Sequence, residues 1–244
     1  MIPYIPQPLW RCGPFTIHAF GVMAAVALVL GFWLVRRKAG RRSLKPDWIG
    51  IVYVIAVLCG LIVAAVWGKI ARGGGVSFTG LMAGGVVAAA LLMLREPANF
   101  WVTADVFALT FPPVIAIARF GCFLAHDHIG ARTTSWIGVQ FPGGTRFDLG
   151  LLYSISAGAT AVIIALMDRR RRPSGVLTGA ALALLGAGRL IISRYGHAVP
   201  SDEAFAIAMV ASAAILIAVR YPNSARLRCR VSPETGKERG PALH

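Results

Sequence analysis

Charge is what this chain has least of. Asp, Glu, Lys and Arg together make 14% of its 244 residues, and only ten of those residues are acidic. A chain that is 57% hydrophobic, with a mean hydropathy of +0.68, cannot cover itself with a solvated surface, so its solvent is the bilayer. Cysteine is sparse as well. Cys12, Cys59, Cys122 and Cys229 show no CxxC and no paired spacing, which implies neither a disulfide framework nor a zinc site. The opening M-I-P-Y-I-P-Q-P-L-W has no basic n-region and does not read as a cleaved signal peptide. No repeat recurs at a fixed period. The net charge of +15 is no sign of nucleic-acid binding, because aromatic residues are not interleaved with the basic clusters, which lie between apolar spans.

Long apolar stretches are what the chain does have. Seven are long enough to span, given that about 20 residues are needed. They lie near 16–35, 48–67, 76–94, 103–125, 149–167, 175–194 and 203–220. The expected fold is therefore an all-α membrane protein of seven transmembrane helices. Residues 1–220 form the membrane domain, and 221–244 a basic, disordered tail. Pro112 and Pro113 inside the fourth stretch predict a kink or a broken helix. Of the 25 basic residues, 17 fall in the loops after spans one, three and five and in the tail, against five on the other side. The positive-inside rule then puts the N-terminus outside, in the periplasm, and the C-terminus in the cytoplasm. The run Arg169–Arg172 and the tail also suit attraction to anionic lipid.

With that orientation, polar residues from several spans share one depth, the outer half of the membrane. Arg119 lies one to two turns from the outer end of span four, Arg189 in the outer half of span six, and Arg194 at its mouth. Ser77 and Thr79 begin span three, Asp148 and Tyr153 begin span five, and His18 begins span one. Taken singly, most have an ordinary explanation. Arg194 can snorkel, Tyr153 can be an interfacial aromatic, and Asp148 can cap a helix. Arg119 and Arg189 are harder to dismiss, since an arginine within a span costs roughly 2.5–3.5 kcal/mol. Two such guanidinium forks at one depth match a lipid phosphate. Beside Arg119 stands R-F-G-C-F-L-A-H-D-H-I-G, residues 119–130, with His126, Asp127 and His128 as groups that move protons. H-D-H lacks a third ligand, so no metal and no cofactor is expected, and Cys122 within a span reads as a packing residue.

These residues carry a resemblance. The opening M-I-P-Y-I-P with G-P-F-T-I-H-A-F-G-V-M, the segment S-F-T-G-L-M-A-G at 77–84, the stretch 119–130, the pair Leu152–Tyr153 and G-A-G-R-L-I-I at 186–192 are similar to the bacterial prolipoprotein diacylglyceryl transferases. The resemblance covers residues 1 to about 220. It implies a seven-span enzyme of the bacterial inner membrane. Such an enzyme moves the diacylglyceryl group of phosphatidylglycerol onto the cysteine thiol of a preprolipoprotein's lipobox signal peptide and releases glycerol phosphate. Arg119, Gly121 and Gly130 match the family's signature, and Arg189 its arginine in span six. The chain departs from the pattern elsewhere. Thr79 stands where the family has a histidine, Cys122 where it has an asparagine, and Ala125 at a second polar position. Ser154 replaces a glutamate, Ser193 replaces an acidic residue, and the signature's acidic residue falls at Asp127.

On this reading Arg119, Arg189 and Arg194 hold the phosphate and stabilise charge on the departing glycerol phosphate. His126 or His128 takes the thiol proton, and Asp127 orients a histidine or binds the headgroup hydroxyls. Gly121, Gly130, Thr79, Asp148 and Tyr153 complete the substrate site. The departures leave two alternatives open: a related glycerolipid or acyl transferase with another acceptor, and a catalytically inactive lipid-binding homologue. A transporter would need midplane charges or an inverted repeat, and neither is found.

Overall fold

The computed structural model describes residues 1–12, 15–72, 77–170, 172–196 and 200–230. Its body is helical: α1 (Ala19–Gly40), α2 (Pro46–Arg72), α3 (Phe78–Met93), α4 (Phe100–Ala125), α5 (Leu149–Asp168), α6 (Val176–Ser193) and α7 (Pro200–Arg230). Five of these, α1, α2, α4, α5 and α6, are long and apolar enough to cross a membrane. α3 is shorter; its 16 residues reach about 24 Å at 1.5 Å per residue. The apolar part of α7, Glu203–Val219, is also below that length. The outward faces carry bare aliphatic side chains, among them Val29 (70% exposed), Ile62 (64%) and Ile70 (75%). Water does not tolerate such a surface on this scale, and lipid does. The protein is a multi-pass, all-α membrane protein.

α1 packs on α2 and α4, α2 on α3, α5 on α4 and α6, and α6 on α7. Small residues set the closeness of the α2–α3 pair, where a Cβ added at Gly84 would sit 2.7 Å from the Val63 side chain. The expected break in α4 does not occur, since the helix runs unbroken through Pro112 and Pro113. The expected start of the tail at 221 falls inside α7, which continues to Arg230; residues 231–244 lie outside the described residues.

The sequence reading did not anticipate strands. β1 (Ile2–Pro3), β5 (Val139–Phe141), β6 (Gly144–Asp148) and β4 (Ile129–Arg132) form a small sheet in the spatial order β1-β5-β6-β4. β2 (Leu9–Cys12) and β3 (Phe15–His18) pair as a hairpin before α1. Phe123, Val139 and Phe141 form a buried cluster that seats the sheet on the C-terminal end of α4.

At the opposite end of the bundle, ionic contacts join three helices. Asp168 of α5 accepts from Lys38 (3.1 Å) and from Arg42 (2.6 Å), just beyond α1. Asp105, in α4 and buried, accepts from the backbone N–H of Gly175 (2.8 Å) and of Thr178 (2.9 Å) and from the Thr178 hydroxyl (2.8 Å). It thereby satisfies orphan donors at the start of α6, as a capping side chain borrowed from another helix. Asp105→Ala would leave those buried donors unsatisfied and lower stability by about 1–3 kcal/mol. Thermal unfolding of the detergent-solubilised protein measures it, and an unchanged midpoint would contradict the capping role.

Candidate functional site: an arginine pair on two shared rings

Four helices converge near the sheet. Phe78 opens α3, Arg119 lies near the C-terminal end of α4, Tyr153 in the first turns of α5, and Arg189 in the second half of α6. The Arg119 guanidinium carbon is 4.1 Å from the Phe78 ring centroid and 5.0 Å from that of Tyr153. The Arg189 carbon is 4.9 Å and 5.8 Å from the same two rings. Both arginines are buried, at 7% and 8% exposure. Ring faces stabilise a cation through their quadrupole while leaving its in-plane N–H groups to other partners. Two like charges held on one pair of rings repel each other, and an anion between them relieves the repulsion. Ser77 caps α3 by accepting from the Gly80 N–H (3.3 Å), which sets the helix start that carries Phe78.

His126 ends α4 with a left-handed backbone (φ 54°, ψ 35°). Its Nδ1 lies 2.8 Å from Asp148 Oδ2 and its Nε2 2.9 Å from the carbonyl of Ile5. A carbonyl only accepts, so Nε2 carries a proton. Nδ1 is held by the carboxyl, so neither nitrogen remains to take a proton from a substrate. Tyr4 stacks on the ring at 4.8 Å, and Phe123 and Phe141 meet it edge-on. Asp148 caps α5 by accepting from the Leu151 N–H (3.3 Å), and burial pushes its carboxyl above the usual range against the pull of His126. The pair thus pins the N-terminal strand to the ends of α4 and α5. His126→Gly keeps the left-handed turn but removes the ring. Amide exchange at Ile2, whose N–H donates to Gly138, should then speed up roughly tenfold or more. Unchanged exchange would contradict the pinning.

Past His126 the chain turns back over the last turn of α4. The thiol of Cys122, the carboxylate of Asp127 and the ring of His128 each bring a ligand atom to within 4.8 Å of the others. Cys122 is buried and Asp127 exposed. Cys122 stands three residues after Arg119 on α4, so the two share a face of the helix and the cluster adjoins the arginine pair. The fold thus sets Cys122 beside Asp127 and His128, a group of residues that could hold a metal ion.

The remaining expected site residues divide. Thr79 lies in the first turn of α3, next to Phe78. Ser154 donates to the Ala116 carbonyl of α4 (2.8 Å), and Ser193 to Leu190 within its own helix (2.9 Å). Arg194 stands exposed at the C-cap of α6. Gly121 and Gly130 have packing reasons to be glycine. A Cβ at Gly121 would lie 2.9 Å from Met23 Cβ, and one at Gly130 only 2.5 Å from the Tyr195 carbonyl oxygen. Phe78 was missed, because one phenylalanine in an apolar run carries no signal of its own. Asp105 was missed although a carboxylate inside an apolar span is itself a signal.

A sequence profile described as prolipoprotein diacylglyceryl transferase matches residues 7–221. Among similar proteins is the phosphatidylglycerol–prolipoprotein diacylglyceryl transferase of Symbiobacterium thermophilum, 27% identical over 90% of each chain. That of Geobacter sulfurreducens is 26% identical over 78% of this chain and 82% of its own. That of Nitratidesulfovibrio vulgaris is 29% identical over 78% of this chain and 81% of its own. The match runs through every helix that meets at the arginine pair, and the chain belongs to the prolipoprotein diacylglyceryl transferase family.

Proposed function

We propose that this protein transfers the diacylglyceryl group of phosphatidylglycerol to the lipobox cysteine thiol of preprolipoproteins. The observation that carries this reading is the arginine pair on the rings of Phe78 and Tyr153, buried within apolar helices. Its chemistry fits a phosphodiester whose acyl chains lie in lipid. Arg119 and Arg189 hold the phosphate and stabilise the negative charge that grows on the leaving glycerol phosphate. The thiol is activated at the Cys122–Asp127–His128 side of the pair, since both ring nitrogens of His126 are engaged. Tyr153, Thr79, Gly121 and Gly130 shape the cavity. Asp148 and His126 hold the N-terminal strand beside the site, and Arg194 meets the headgroup at the mouth.

The family and the charge pattern support the finer topology. All seven helices cross the inner membrane, α3 and α7 with thinner local bilayer or flanking residues making up their length. Residues 1–220 are the membrane domain, with the N-terminus periplasmic, and the basic segment that follows lies in the cytoplasm. The relatives' names favour this reaction over transfer to another acceptor or lipid binding alone.

The test is cellular. Expression of the chain in a bacterium depleted of its own transferase should restore conversion of a reporter preprolipoprotein to its lipid-modified form. Accumulation of unmodified precursor, with the protein folded in the membrane, would count against the reading.

A further inference from the structure

The cluster at the end of α4 has a donor set that phosphate binding does not use. Sulfur, carboxylate oxygen and imidazole nitrogen lie within 4.8 Å of one another. Bonds to zinc of about 2.0–2.3 Å put neighbouring ligands in a tetrahedron roughly 3.3–3.8 Å apart, and the exposed Asp127 has room to turn toward that spacing. The backbone is already held for this. The left-handed turn at His126 reverses the chain, and the His128 carbonyl accepts from the Leu149 N–H (2.9 Å). A thiolate and a carboxylate neutralise a divalent charge, so the loaded site does not repel the neighbouring Arg119. Arg119, one turn earlier on the same face of α4, is placed to orient a thiolate ligand from outside. Three protein ligands leave one position open.

We propose that Cys122, Asp127 and His128 bind a zinc ion whose open position takes the incoming lipobox thiol, an inference that rests on the transferase reading above. The thiol binds as thiolate and its proton passes to water, because a coordinated thiol is deprotonated outright. The thiolate sulfur then forms a bond to the glyceryl carbon that carries the phosphate. The carbon–oxygen bond to phosphate breaks, and its electron pair leaves on glycerol phosphate, held by Arg119 and Arg189. No redox change occurs and no further reactant is needed. The departures from the family pattern then have a reason. Thr79 and Cys122 stand where the family has a histidine and an asparagine, and a metal supplies the thiol activation instead.

The test uses the full chain, purified without a polyhistidine tag and without chelator, in lipid nanodiscs. Zinc should be present at about one ion per chain by atomic emission. Replacement by Co²⁺ should give a thiolate-to-cobalt charge-transfer band in the near ultraviolet, absent from Cys122→Ser. Asp127→Ala alters an exposed side chain and tests the site where Cys122→Ser fails to fold. It should bind the metal at least tenfold more weakly. Adding a lipobox peptide should perturb the cobalt spectrum, and a Cys→Ser peptide should not. A folded wild-type protein with neither zinc nor a thiolate–cobalt band overturns the proposal. So does full transfer activity in protein stripped of metal. A cobalt spectrum that responds to the peptide, without thioether product, would uphold the metal site and refute the transferase reading.

Discussion

Arg119→Ala should lower kcat for diacylglyceryl transfer by about 10²–10³, the usual loss when one group stabilising transition-state charge is removed. The same holds for Arg189→Ala. Both guanidiniums rest on the same two rings, so neither can move to take the other's place, and the double variant should retain no more than about the residual rate of the worse single one. Lysine is not a conservative replacement here. It keeps the charge but loses the planar fork and the ring stacking, and should recover less than about a tenth of the activity. Steady-state kinetics in nanodiscs separate the effects. A change confined to KM would mean that the arginines bind substrate and transition state equally, contrary to the role given them.

Removal of the Phe78 ring should produce the second large effect. Each cation–π contact is worth about 0.5–2 kcal/mol, and Phe78 serves both cations. Phe78→Leu keeps apolar bulk and removes the quadrupole, so kcat/KM should fall about 10–100-fold while the protein remains folded. Phe78→Tyr retains the ring and should retain most activity. Equal activity of the Leu and Tyr variants would show that the ring supplies bulk alone. Tyr153 sits farther from both guanidiniums, and Tyr153→Leu should be milder.

Much of this site was legible because the membrane makes polarity conspicuous. Arg119 and Arg189 stand out in apolar sequence at a known energetic cost, and helical rise placed them at one depth. The helices were legible for the same reason, from length and hydropathy. What a one-dimensional pattern could not show was which ring each cation would meet. Phe78 resembles every other apolar residue until α3 is set against α4, α5 and α6. The strands were hidden because they are two to five residues long and rely on pairing across the chain, Ile2 with Val139 and Ile129 with Asp148. The H-D-H triplet left open which histidine would serve as the base. The left-handed turn at His126 separates them, giving His126 to Asp148 and Ile5 and bringing His128 back toward Cys122. Asp105 shows the converse case: an intramembrane carboxylate that serves the fold by capping α6 at the end away from the arginine pair.

The central claim is that the arginine pair drives transfer of a diacylglyceryl group from phospholipid to a thiol. The most direct measurement is mass spectrometry of a synthetic lipobox peptide incubated with the purified protein in phosphatidylglycerol nanodiscs, run beside the Arg119→Ala/Arg189→Ala double variant. The account predicts a diacylglyceryl thioether on the peptide cysteine and equimolar glycerol phosphate, both lost in the double variant. Thioether formed at the same rate by the double variant, or none formed by folded wild-type protein, would contradict it.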